Sequence, residues 1–154
     1  MSVNETVAAG RVAASSIGAR IYSVLSAVLA LLVIVQVFVA GSGVFTMARQ
    51  LDNGQNYSVA AWNTSASWGI HFFNALAITV VMLLLLGASF LPGLSGRTRK
   101  FTGLLFGLLV LQAVLGFIPW PAPISALHVL NAFAMLAVAL YVVRENWAFG
   151  RPAS

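Results

Sequence analysis

Four apolar runs, each close to the length of one bilayer crossing, leave this chain few ways to fold. They cover about residues 21–40, 67–91, 101–118 and 124–143. A helical crossing needs roughly 20 predominantly apolar residues. Pro92 follows the second run, Pro119 ends the third, and Pro121 and Pro123 open the fourth. Proline just past a helix end or just inside its start is ordinary helix punctuation. Composition agrees with the runs. Of the 154 residues 60% are hydrophobic and 7% charged, against about 25% charged in a soluble domain. That is too little charge to cover a water-facing surface. The expected fold is all-α, an integral-membrane four-helix bundle of a single domain.

The basic residues set the expected orientation. Arg11 and Arg20 precede the first run, Arg97, Arg99 and Lys100 lie between the second and third, and Arg144 and Arg151 follow the fourth. Arg49 alone falls on the other side. Short loops rich in Lys and Arg stay in the cytoplasm, so both termini and the 92–100 loop are expected inside, in a bacterial cytoplasmic membrane. Trp62, Trp68 and Trp120 then belong to the outer interface and Trp147 to the inner one. The net charge of +5 does not indicate nucleic acid, because the cations flank apolar runs and form no stripe. Membrane lipid is the expected surrounding.

Within this frame, residues 1–19 read as a flexible cytoplasmic N-terminal segment, 20–148 as the bundle, 42–66 as an outer loop capping its mouth, and 149–154 as a cytoplasmic tail. The first run is longer than the 7–15 apolar residues of a signal peptide, and Phe38 sits where a cut after Ala40 wants a small residue. It reads as an uncleaved anchor.

The chain's only two histidines sit in the same phrase. His71-Phe72-Phe73-Asn74-Ala75 and His128-Val129-Leu130-Asn131-Ala132 both read His-x-x-Asn-Ala, each early in an apolar run. The runs before them also rhyme: Gln36 precedes Gly41 and Gln112 precedes Gly116. The unit is a Gln-bearing helix followed by a His-bearing one, used twice. A parallel repeat of this kind implies a pseudo-two-fold axis along the membrane normal. It would bring Gln36, His71, Asn74, Gln112, His128 and Asn131 into one polar layer in the outer half.

An ionisable side chain inside a crossing is costly and marks a functional site by default. Two neutral imidazoles at one depth on facing helices suit axial ligation of one haem iron. The bland reading is helix–helix glue, since Asn, Gln and His bridge membrane helices at roughly 0.6 to 2 kcal/mol per contact. Asn74 and Asn131 fall three residues after their histidines, hence on the same helix face. They read as buttresses of the histidines or as helix cross-links. Gln36 and Gln112 read as structural or as contacts to a propionate or a quinone. Ala75, Ala132, Gly41 and Gly116 would leave room for a flat macrocycle. Arg49 is either an ordinary loop residue or the outer cation facing the propionates. Other chemistry fits less well. No cysteine is present, two histidines are too few for a closed zinc site, no acid lies in a run to complete a facial triad or a hydrolytic triad, and no buried carboxylate relay exists for ion pumping.

Gln112-x-x-Leu115-Gly116, a short outer loop, and His128 early in the next run resemble the half-repeat of haem A synthases. The whole four-run pattern is also similar to small bacterial four-span membrane proteins with a repeated His-x-x-Asn motif. In haem A synthases each four-helix half carries a histidine pair that ligates a haem, so the resemblance implies His71 and His128 as ligands of one haem b per chain. The family has eight spans, a cysteine pair and a nearby glutamate in its outer loop. This chain has four runs, no cysteine, and Asp52 as its one outer acid. Oxidation of a haem methyl group is therefore not carried over. The expected function is an electron-transfer or haem-carrying membrane protein, an oxidoreductase component rather than an independent enzyme, with a quinone or subunits of a respiratory complex as partners. The alternative is a non-haem membrane subunit or scaffold with a quinone or lipid pocket.

Overall fold

The computed structural model describes residues 3–56, 58, 65–118 and 121–149, with side chains from Ile17 onward except at 122 and 125. All regular structure among them is helical: α1 Val3–Asp52, α2 Ala66–Ala88, α3 Gly96–Phe117 and α4 Ala122–Asn146. Each contains a stretch long and apolar enough to cross a membrane. The second, third and fourth runs match α2, α3 and α4 to within a few residues.

The first helix is longer than its apolar run at both ends. The backbone is helical from Val3, across the segment expected to be flexible. Alanine is frequent there and is the best helix former. At the other end α1 continues past Ala40 to Asp52, so the expected loop 42–66 begins as helix. Ser42 and Thr46 do not break it, because their hydroxyls donate back to the Val39 and Ser42 carbonyls. What stops α1 is Gly54, at φ 73°. Its N–H donates to the Leu51 carbonyl and that of Gln55 to the Gln50 carbonyl, the paired bonds of a Schellman ending, which needs a left-handed residue at that place. Trp62 and Trp120 lie outside the described residues.

The other ends have equally local causes. Ser65 caps α2 by accepting from the Trp68 N–H, and Ser95 caps α3 by accepting from the Thr98 N–H, as N-cap serines do. Between α2 and α3 the chain reverses through Leu91-Pro92-Gly93-Leu94. Gly93 has φ 89°, the conformation that a type II turn demands after proline. Pro123 lies in the first turn of α4, where its missing N–H would have had no helical partner.

The helices form a ring in chain order. α1 packs on α2 and α4, α3 packs on α2 and α4, and the diagonal pairs make no close backbone approach among the described residues. One end is tightly closed. Gly18 lies against Leu91 and Pro92, and Ser23 accepts from the Ala148 N–H. The core packs between these contacts and mid-bundle, around Tyr22, Leu29, Met82, Leu85, Leu105, Met135 and Val142. A buried hydrogen-bond chain crosses it. Thr102 donates to the Thr98 carbonyl, so the Tyr22 hydroxyl is the donor in its 2.6 Å bond to Thr102. That bond spans the α1–α3 diagonal. Beside it the Arg97 guanidinium lies 5.7 Å from the centre of the Tyr141 ring.

The outward faces are apolar. Phe38, Phe73 and Phe117 are 74%, 70% and 76% exposed, a surface that suits hydrocarbon and not water. The opposite end of the bundle, where α1 passes Ala40 and where α2 and α4 begin, is loosely filled. This open end carries the site.

Candidate functional site

Two matched clasps tie the helices in pairs at the open end. In the first, Asn74 on α2 donates to the Leu32 carbonyl at 2.9 Å and to Gln36 Oε1 at 2.6 Å. In the second, Asn131 on α4 donates to the Leu108 carbonyl at 2.9 Å and to Gln112 Oε1 at 2.6 Å. Leu32 and Leu108 each precede their glutamine by one helical turn. The same bonds thus join α1 to α2 and α3 to α4. They also orient the glutamine amides. With each Oε1 held by an asparagine, each Nε2 points onward as a donor.

The two Nε2 groups go to different places. Gln36 Nε2 donates to the backbone carbonyl of His71, at 3.0 Å. Gln112 Nε2 lies 3.0 Å from Nε2 of the His128 ring, and Nδ1 of that ring lies 3.1 Å from the Gln112 carbonyl. A carbonyl only accepts and an amide N–H only donates. The His128 ring is therefore neutral, with its proton on Nδ1 and its Nε2 lone pair occupied by the Gln112 amide.

One residue explains the difference. Gly116 lies one turn beyond Gln112, and a methyl added there would stand 2.9 Å from Cε1 and 3.1 Å from Nδ1 of His128. The imidazole rests directly on the glycine. The matching position, one turn beyond Gln36, is Ala40. It carries a methyl where the other pair has the bare glycine on which His128 rests. His71 instead stacks on Trp68, with ring centres 5.8 Å apart and planes 19° from parallel. Its buried Nδ1 has no hydrogen-bond partner among the described residues. A buried ring nitrogen without a partner is uncommon and calls for an explanation.

Between the clasps lies a cavity of about 460 Å³, within the usual range of ligand pockets. All four helices line it, and its wall is built from positions in matching register: Val33 with Leu109, Gln36 with Gln112, Val37 with Ala113, Ala40 with Gly116, His71 with His128, Ala75 with Ala132, and Ile78 with Met135. The wall is apolar apart from the histidines, the glutamines, Ser67, Trp68 and Thr79. The histidines reach it from α2 and α4, which face one another across the bundle.

The site therefore gathers His71, His128, Gln36 and Gln112 at one cavity, with Asn74 and Asn131 behind them as helix cross-links. Asn131 is only 7% exposed. Arg49 is not brought in. It is exposed and borders a separate shallow groove on α1, with Phe38, Gly41, Ser42, Phe45 and Thr46. Gly41 lies in that groove, where an added β-carbon would meet nothing within 4 Å. The glycine matching Gly116 by register does not exist; its counterpart is Ala40. Sequence reading missed Ala40, Trp68 and Met135 as parts of the site. The one signal for Ala40 was the offset, four residues from Gln112 to Gly116 but five from Gln36 to Gly41.

Chemically, the arrangement supplies two imidazoles, two amides and a dry wall. No group of three or more His, Cys, Asp or Glu that could hold a metal ion forms among the described residues. A ligand held here would meet two imidazole nitrogens at most, so a macrocycle that brings its own equatorial ligands suits the donor set better than a bare ion. Fold and site together define a four-helix bundle of membrane-crossing character with a paired-histidine cavity near one end. No family model, no curated protein and no solved structure matches the chain.

Proposed function

We propose that this is a membrane cytochrome of the b type, binding one haem per chain between His71 and His128. One observation carries the reading: two imidazoles from diagonally opposed helices line a single apolar cavity at matching register. The donor set suits the group. A ligating histidine ordinarily donates its other ring N–H to a carbonyl or carboxylate. His128 already does so through Nδ1 to the Gln112 carbonyl. His71 lacks that support, its buried Nδ1 having no partner among the described residues, and it reaches the cavity as part of the wall. The small residues Ala75 and Ala132 line the cavity next to the histidines.

A bis-imidazole haem has no open iron position and supplies one-electron transfer rather than oxygen chemistry. The chain's own residues bind, orient and exclude water. The clasps fix the depth of both histidines, and the apolar wall keeps the site dry. The protein is then an electron carrier or a haem-carrying subunit of a respiratory membrane complex, an oxidoreductase component without an independent reaction. Its electron partners would be a membrane quinol or neighbouring subunits.

The matched clasps and the matched cavity wall support descent from a duplicated two-helix unit. The distribution of Lys and Arg supports placing both termini and the 92–100 loop in the cytoplasm of a bacterium, with the cavity in the outer half of the membrane. Arg49 stands off the cavity, so haem propionates would be held by outer water rather than by that cation, since burying a carboxylate in hydrocarbon is far costlier.

A second reading has its own observation. Both ring nitrogens of His128 are already satisfied by Gln112, as expected of a structural histidine beside a quinone or lipid pocket in a non-haem subunit or scaffold. Haem and iron content of protein purified from cells supplied with a haem precursor separates the two. The cytochrome reading expects one of each per chain; the pocket reading expects neither.

A further inference from the structure

We propose that Gln112 and Gly116 form a latch that holds His128 in reserve, so that haem is taken first by His71 and ligated by His128 only when the Gln112 amide lets go. The inference rests on the haem reading and adds an order and a gate to it. The two halves present the same glutamine–asparagine clasp, so the pairs would behave alike if nothing else differed. They differ one turn beyond each glutamine. Gly116 leaves a seat for the His128 ring, and a methyl there would come within 2.9 Å of it. The equivalent position carries the methyl of Ala40. Gln36 Nε2 therefore goes to the His71 backbone at 3.0 Å and leaves the His71 ring alone, whereas Gln112 Nε2 goes to the His128 ring at 3.0 Å.

The consequence is unequal readiness. The Nε2 lone pair of His128 is occupied by the Gln112 amide, while the Gln36 amide goes to the His71 backbone and leaves the His71 ring, which lines the same cavity, unengaged. Release of His128 requires no proton movement. The ring keeps its proton on Nδ1, bound to the Gln112 carbonyl, and exchanges one hydrogen bond at Nε2 for one bond to the metal. The Gln112 Oε1 stays with Asn131, so the helix clasp survives the exchange. Gln112 is thus a positioning residue. It holds the tautomer and direction that ligation needs, and it delays ligation.

Two measurements test this on the full chain in detergent or nanodiscs. The first needs no haem. Because the chain has only two histidines, His71→Ala and His128→Ala each leave one ring to observe by 15N NMR. His128 is expected as a single tautomer protonated on Nδ1, and Gly116→Ala, which leaves the clasp intact, is expected to abolish that preference. An Nε2-protonated or mixed tautomer for His128 in the unaltered seat would overturn the latch. The second is stopped-flow mixing with haemin. His128→Ala is expected to load at nearly the parent rate and remain five-coordinate and high-spin, and His71→Ala to load at least about ten-fold more slowly. Gln112→Leu is expected to speed the final low-spin step about five-fold, the factor one net hydrogen bond is worth. Equal loading by the two histidine variants would overturn the order and leave haem binding standing. Failure of the parent protein itself to bind haemin would remove the haem reading and the loading order together, with the tautomer result still deciding whether the latch exists.

Discussion

At the scale of residues, the site divides between imidazoles that line the cavity and amides that tie helices together. His71 and His128 have no substitutes at their positions. With haem bound as proposed, removing either one should eliminate a low-spin six-coordinate spectrum. Asn74→Ala and Asn131→Ala should keep a low-spin spectrum and weaken haem binding by about 10–100-fold, the usual cost of losing a group behind a ligand. Haem titration followed at the Soret band checks this, and complete haem loss in the asparagine variants would mean that the amides and not the rings hold the group. The histidines and asparagines were legible in the sequence because a repeated phrase in an apolar run is conspicuous. The unlike environments of the two rings were not. They depend on a methyl at Ala40 against a hydrogen at Gly116, and on which way an amide turns once its oxygen is taken. Neither shows in a pattern of residue types.

At the scale of elements, apolar length located α2, α3 and α4 because hydrophobic runs and turn-forming prolines and glycines coincide there. It misjudged α1. A run of hydrophobicity ends where the expected apolar medium ends, but a helix ends where its backbone is capped. Nothing between Ala40 and Asp52 caps α1. Gly41 and Gly43 weaken a helix by propensity without stopping it, and the serine and threonine hydroxyls bond back into the turn before them. The stop is the left-handed Gly54. Gly54→Ala should therefore cost about 1 kcal/mol, since a β-carbon opposes that conformation, although the added carbon would meet nothing within 4 Å. Thermal unfolding in detergent should show a correspondingly lower midpoint. An unchanged midpoint would mean that the Schellman ending contributes nothing to stability. The same reading of helix ends displaced Arg49. Placed on a helix rather than in a loop, it lies along the outer surface of α1 and not over the cavity.

At the scale of the whole molecule, the bundle is tight at one end and open at the other. The closed end is held by the core and by the Tyr22–Thr102–Thr98 chain across the diagonal. The open end keeps its shape through two clasps around a cavity that packing does not fill. This division was only partly legible. Four crossings and a polar layer follow from composition and spacing, whereas a cavity depends on how large side chains meet across helices. Placement in the membrane can be tested without disturbing native thiols, because the chain has no cysteine. Gln55→Cys should react with an impermeant thiol reagent in intact cells, and Gly96→Cys should react only after the membrane is opened. The reverse pattern would put the cavity at the cytoplasmic face and direct electron partners there.

The central claim is that the cavity between His71 and His128 holds a bis-imidazole haem. The dithionite-reduced minus oxidised absorbance spectrum of the purified protein, from cells supplied with a haem precursor, tests it most directly. The expected result is a shifted Soret band with the sharp α-band of a low-spin b-type haem, at one haem per chain, and the disappearance of that six-coordinate signature in both His71→Ala and His128→Ala. A flat difference spectrum from folded protein would contradict it and leave the paired histidines as part of a pocket for some other lipid-soluble ligand.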